Sequence, residues 1–264
     1  MTRVAVVGAG VAGLACAARL AADVRVSVLD RIPVPGGVHG WQAPETTALE
    51  RAARAAGVEL HLGVTATRWQ GGVLTAVGPE GVRRIPAAAL VIAAGTRPRT
   101  RAELGLAGDR PAGVVAAPVA CHLAENGLLV GRHPCVVGGG DWAARACARL
   151  LDAGARTVTV VAPAGALRQL PAAARVLEGI EPTAIEGGAR VSLLHAGTDR
   201  VECDAVVLAH GLVPLRNVDG AVWDGAATVY VQPAEDPGSV AGARAAGEQA
   251  ATGVLELVAK AAAA

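Results

Sequence analysis

The chain has 264 residues, enough for one large domain or two modest ones. Its formal net charge is +1, which gives no electrostatic case for nucleic acid or an anionic membrane. No uncharged stretch reaches the roughly 18–20 apolar residues of a membrane helix, and Cys16, Cys121, Cys135, Cys147 and Cys203 contain no CxxC, which argues against a disulfide framework or a cysteine-ligated metal. A cytoplasmic protein without a metal is expected. Phe is absent, so ring stacking falls to Trp41, Trp69, Trp142, Trp223 and Tyr230.

The chain opens on Val4-Ala5-Val6-Val7, then Gly8, Gly10 and Gly13 in a GxGxxG, then an alanine-rich run predicted as a helix over 14–22. Strand, glycine turn and helix in that order form the dinucleotide-binding arrangement. Gly8 permits the tight turn, Gly10 lets a pyrophosphate approach the backbone, and Gly13 lets the helix pack on the strand. The helix-start N–H groups of this stretch then face the phosphates. Arg3 followed by an uncharged stretch superficially suits a signal peptide, but the glycine pattern accounts for the same residues. The next strand-like run ends in Asp30, 17 residues after Gly13 and near the ~20 expected for a carboxylate that binds a ribose diol.

A Pro/Gly-rich loop follows from Arg31 to Gly40. Leu49, Ala52, Ala53 and Ala56 predict a helix over 45–56 with Gly57 as its cap. A strand is expected at 58–65, a small β-meander at 73–77 and 82–86, and an apolar strand from Ala89 to Gly95. Residues 96–113 read as a crossing between domains, where Arg97, Arg99, Arg101 and Arg110 are either solvated loop charge or a phosphate contact.

A second cycle begins at Pro134. Gly138, Gly140 and Ala143 form a GxGxxA, offset by 130 residues from the first motif, with a helix to Leu151 and a strand at 157–161. Two such units imply two dinucleotide sites, or one site and a relic. Val161 is followed by Ala162 and Pro163, so the choice between NAD and NADP stays open; Arg168 is the nearest cation. A short helix is expected at 169–178, strands at 190–194 and 200–203, and a long helix over 238–258 whose Gly242 and Gly247 allow close backbone approach. Asp204 to Gly211 echoes the strand that ends in Gly95. His210 reads as a hydrogen-bonded structural residue, and His122 has no metal-ligand partner at helical spacing.

This order of units resembles the two-dinucleotide-binding-domain flavoproteins, the pyridine nucleotide-disulfide oxidoreductase superfamily. The resemblance rests on both glycine motifs, Asp30, the strand ending Ala93-Ala94-Gly95, and Asp204 to Gly211 with Pro214. It implies an α/β fold of two Rossmann-like three-layer domains, the second inserted in the first. Residues 1–108 and 201–264 would bind FAD, and 109–200 would bind NAD or NADP. Cofactor contacts would fall on Gly8, Ala9, Gly10, Val11, Ala12, Gly13, Asp30, Arg31, Ala66, Ala94, Gly95 and Asp236, and on Gly138, Gly140, Asp141 and Ala143. His39 and Trp41 would lie near the flavin ring.

The implied activity is hydride transfer between nicotinamide and flavin, with a small-molecule or protein electron donor or acceptor. Residues 95–101 and 108–114 look like the FAD/NAD-binding subunits of multicomponent dehydrogenases, the hydrogen cyanide synthase and opine dehydrogenase type, which implies a hetero-oligomer with a second dehydrogenase subunit. The chain lacks the redox-active cysteine pair of the disulfide branch. It also lacks the Gly-Asp expected near the C-terminus, where Glu235 or Asp236 would have to substitute. The missing Gly-Asp and the loop shortened to Gly36-Gly37-Val38-His39-Gly40-Trp41 leave an alternative: a degenerate, non-catalytic nucleotide-binding subunit that stabilises a catalytic partner.

Overall fold

The computed structural model describes residues 2–221, 227–231 and 239–263. Trp223, Glu235 and Asp236 therefore lie outside the described residues. The first part of the chain runs β1 (Arg3–Val7), α1 (Val11–Leu20), β2 (Arg25–Asp30), α2 (Pro44–Ala55), β3 (Glu59–Leu62), β4 (Thr65–Gln70), β5 (Val73–Gly78), β6 (Gly81–Pro86) and β7 (Ala89–Ile92). There follow β8 (Thr96–Pro98), β9 (Ala107–Gly108), β10 (Val114–Ala116), α3 (Ala117–Glu125), β11 (Pro134–Gly138), α4 (Gly140–Asp152), β12 (Val158–Ala162) and β13 (Ala174–Glu178). The chain closes with β14 (Pro182–Gly187), β15 (Val191–Ala196), β16 (Asp199–Glu202), β17 (Ala205–Ala209), β18 (Leu212–Pro214), β19 (Thr228–Tyr230) and α5 (Val240–Ala263).

Contacts divide the chain into two units, Met1–Thr96 with Pro214–Ala264, and Arg97–Val213. Each holds a five-stranded parallel sheet, in the orders β19-β7-β1-β2-β3 and β10-β17-β11-β12-β13. The internal repeat is thus a repeat of sheet topology, with β11 in the place of β1 and β12 in the place of β2.

Both units have three layers. β1 reads VAVV because both its faces are covered, and β-branched residues suit a pleated, buried surface. In the first unit Val4, Val6, Val26, Val28 and Val91 face α1, α2 and α5. Ala5, Val7, Leu29, Leu90 and Ile92 face the antiparallel meander β4-β5-β6 through Trp69, Leu74 and Ile85. In the second unit Val136, Val160 and Val207 pack on α3 and α4. Cys135, Val137 and Val206 pack instead on the antiparallel strands β14–β16 through Ile185, Leu194 and Val201. Leu14, Leu20, Leu29 and Leu150 are fully buried, each contributing about 1.5–3 kcal/mol relative to exposure.

Two expectations are corrected. The units part at Thr96 and Val213, not at 108/109 and 200/201. β9 pairs with β14, and β17 lies beside β11 within the second sheet, just as β7 lies beside β1 in the first. The echo between residues 204–211 and 89–95 is an equivalence between the repeats, not a return to the first unit. The helix expected at 169–178 is instead a turn leading into β13, which pairs in parallel with β12. The alanines at 172–174 favour helix only weakly, and pairing with the sheet overrides them.

Candidate functional site

At the first glycine turn each glycine has a different steric reason. Gly8 has φ +112°, and a Cβ there would stand 2.2 Å from the carbonyl oxygen of Ala93. A Cβ on Gly13 would stand 1.9 Å from the carbonyl oxygen of Gly8, so only glycine lets α1 approach β1 this closely. Gly10 differs: it caps α1 with an ordinary φ of −73°, and a Cβ there would meet no atom nearer than 3.9 Å. The fold therefore does not require glycine there, and the missing side chain leaves room for a ligand to approach the backbone. The N–H groups of Val11, Ala12 and Gly13 have no carbonyl within the helix to bond, and that of Val11 faces Gly36, which bridges Gly10.

Asp30 ends β2 beside this turn. Its carboxylate accepts the Ala9 N–H at 2.6 Å and the Ile32 N–H at 2.8 Å. The following loop returns to the turn, because the Gly36 N–H donates to the Ala9 carbonyl at 2.8 Å and Gly37 packs on Gly10. Its tip is closed by Gly36 (φ +117°) against Gly40, and it carries half-buried His39 and exposed Trp41. Ala94 and Gly95 follow β7 next to Gly8, while Arg31 is exposed. Ala66 lies in the core beneath the meander, paired with Ala76. No sequence pattern singles out Thr46 in the first turn of α2, whose fully buried hydroxyl has no hydrogen-bond partner.

The second turn repeats this plan with a difference. Gly138 has φ +124° and a Cβ there would stand 2.5 Å from the Ala209 carbonyl oxygen; Ala143, in the place of Gly13, is fully buried. The Gly140 N–H, however, donates to the Ala166 carbonyl at 2.7 Å, which leaves the N–H groups of Asp141 and Trp142 as the donors at the start of α4. The exposed Asp141 carboxylate lies 3.8 Å from Arg168 Nε. Two buried polar atoms near this turn, Trp142 Nε1 and His210 Nε2, have no partner. His210, which reads from the sequence as a hydrogen-bonded structural residue, has no partner at Nε2. Burial lowers its pKa, against a raising effect of Glu181 and with a further lowering by Arg99.

A family model described as pyridine nucleotide-disulphide oxidoreductase matches residues 2–221. The chain belongs to that family. Its members are oxidoreductases that use FAD and NAD(P)H. Among solved structures, Lactococcus lactis thioredoxin reductase is 20% identical with a TM-score of 0.65, covering 98% of this chain and 100% of that one. Water-forming NADH oxidase from Lactobacillus brevis, bound to NADH, is 14% identical with a TM-score of 0.64, covering 97% and 70%. Putidaredoxin reductase in a covalent complex with putidaredoxin is 17% identical with a TM-score of 0.61, covering 96% and 75%. At these identities the likeness is one of fold. A search of curated proteins returned no match.

Unlike a dithiol enzyme of this family, the chain presents no reactive thiolate. All five cysteines are free and buried. Burial pushes the Cys16 and Cys203 thiols up to about 12 and Cys147 to about 11, and raises Cys121 and Cys135 as well. Two of the four crossing arginines are structural. Arg97 forms a two-pronged ion pair with Glu103 at 2.7 Å, which holds that carboxyl well below the usual range with help from Thr100. Arg101 donates to the carbonyls of Leu106, Ala107, Gly108 and Asp109. Arg99 and Arg110 are exposed. Among the described residues no helix is long and apolar enough to cross a membrane, and no group of three or more His, Cys, Asp or Glu could hold a metal.

Proposed function

We propose that the first unit holds FAD at Gly8–Gly13 with Asp30 on the adenosine ribose, and that the second holds a nicotinamide nucleotide at Gly138–Ala143. The observation that carries this reading is the room left by the missing side chain at Gly10, flanked by a carboxylate fixed at the end of β2. When bound, the flavin supplies the hydride-accepting chemistry. The residues of this chain bind and orient. Helix-start N–H groups would hold the pyrophosphate and Asp30 the ribose hydroxyls, while the loop tied to Ala9 through Gly36 carries His39 and Trp41 as the residues that would meet the ring.

Because all five thiols are free and buried, none is placed to form an internal redox disulfide, so the acceptor would be an external one. A protein acceptor or a second dehydrogenase subunit of the amine or amino-acid type fits this role, in line with the covalent complex that putidaredoxin reductase makes with putidaredoxin. The test is a visible spectrum. Purified protein is expected to be yellow and to bleach under anaerobic NADH or NADPH. A colourless protein that FAD cannot reconstitute overturns the reading. One observation favours the alternative, a non-catalytic nucleotide-binding subunit: the Gly140 N–H is already taken by Ala166. FAD-loaded protein that neither reduced nucleotide bleaches decides for that alternative.

A further inference from the structure

We propose that Glu178 makes the second site selective for NAD(H) over NADP(H), its carboxylate reading the ribose diol and repelling a 2′-phosphate. This rests on the reading of the second glycine turn as a nicotinamide-nucleotide site.

In parallel α/β sheets a ligand lies beyond the carboxyl ends of the strands, and an acid at the end of the second strand reads the adenosine ribose. Asp30 stands at that place in the first unit. The equivalent residue of the second unit is Ala162, which has no side chain to do so. The acid comes instead from the neighbouring strand. Glu178 is the register partner of Ala162, and the Gly179 N–H donates to the Ala162 carbonyl at 2.8 Å. The exposed carboxylate therefore stands at the end of β12. It accepts the Gly165 N–H at 2.9 Å, and the next residue, Ala166, accepts the Gly140 N–H at 2.7 Å. Two hydrogen bonds thus link Glu178 to the glycine turn, as Asp30 is linked to Ala9.

The charge around this corner has the sign that rejects a phosphate. Arg168 is the cation on the same loop, and it lies 3.8 Å from Asp141 in the first turn of α4. A 2′-phosphate would meet Glu178 without a dedicated guanidinium to offset it.

The experiment is calorimetric titration of the protein, loaded with FAD, with two redox-inactive probes: ADP-ribose and ADP-ribose carrying a 2′-phosphate. They differ only in the group that Glu178 is proposed to sense. Wild type is expected to bind ADP-ribose more tightly by about tenfold or more. Glu178→Gln keeps an oxygen for the Gly165 N–H, so melting is expected to stay unchanged while most of the discrimination is lost. Arg168→Gln is expected to leave the discrimination intact. Equal affinities in wild type, an undiminished gap in Glu178→Gln, or selective loss of the 2′-phosphate probe in Arg168→Gln each overturn the inference while leaving the site itself standing. Failure of both probes to bind wild type overturns the parent reading and the inference with it.

Discussion

Within one six-residue turn, Gly10 and Gly13 separate binding from folding. A methyl at Gly13 would lie 1.9 Å from a backbone oxygen that cannot yield without moving β1 or α1. Overpacking of this kind costs about 1–3 kcal/mol or more, so Gly13→Ala is expected to lower the melting temperature visibly. A methyl at Gly10 meets only ordinary contacts, Gly37 Cα at 3.9 Å and the Gly36 carbonyl oxygen at 4.0 Å, at an allowed φ, so FAD-free Gly10→Ala is expected to fold and melt like FAD-free wild type. It nevertheless projects into the space proposed for the pyrophosphate, and the purified variant should retain several-fold less FAD, read as the ratio of flavin to protein absorbance. Equal flavin content in Gly10→Ala and wild type would place the pyrophosphate elsewhere.

His210 gives a second prediction at this scale. Its folded pKa lies below the unfolded 6.5, so the unfolded chain binds more protons as pH drops. The stability it contributes is present above about pH 6.5 and is lost as pH falls through the folded value. Urea midpoints measured from pH 7.5 down to 5.5 should decline less steeply in His210→Gln than in wild type. Identical slopes would remove His210 as a source of acid sensitivity.

At the scale of the elements, the packing of α5 on α1 depends on Gly247 in α5. A Cβ there would stand 2.1 Å from the Ala12 carbonyl oxygen. Gly247→Ala must push α5 away from α1, losing about 1–3 kcal/mol and lowering the melting temperature by roughly 2–4 °C for each. A gain in stability would show that helix propensity outweighs the clash. This contact was legible in advance, because a glycine inside an alanine-rich helix needs a packing reason. α1, α2 and the meander were legible for a related reason: their apolar periods and glycine boundaries are local signals. β13 was not. Its residues, Ala174–Glu178, carry an exposed, half-polar pattern, and only the β12 edge makes them a strand. The role proposed for Glu178 was hidden for the same reason. A search along the sequence looks for an acid at the end of β12, whereas register brings one across from the next strand.

At the scale of the whole chain, the superfamily was legible from two glycine motifs in order, but the domain boundaries were not, because β7 and β17 share a sequence pattern and each belongs to its own sheet. The observed division has a thermodynamic consequence. Residues 97–213 are contiguous and contain both cores of the second unit, the helix-facing one around Val136 and Val160 and the sheet-facing one around Val137 and Ile185. The first unit is built from both sides of that insertion. A fragment of residues 97–213 is therefore expected to fold alone, with a cooperative thermal transition. A fragment ending at residue 200 would lack β17, the strand between β10 and β11, and should not fold.

Linkage then distinguishes the two sites. A ligand that binds only the folded form stabilises it by RT ln(1 + [L]/Kd), about 2.7 kcal/mol at a hundredfold excess over Kd. ADP-ribose should raise the melting temperature of the 97–213 fragment, and FAD should not. In the full chain FAD should raise the transition of the remaining residues. Stabilisation of the fragment by FAD, or loss of cooperative folding in the fragment alone, would contradict the assignment of one nucleotide site to each unit.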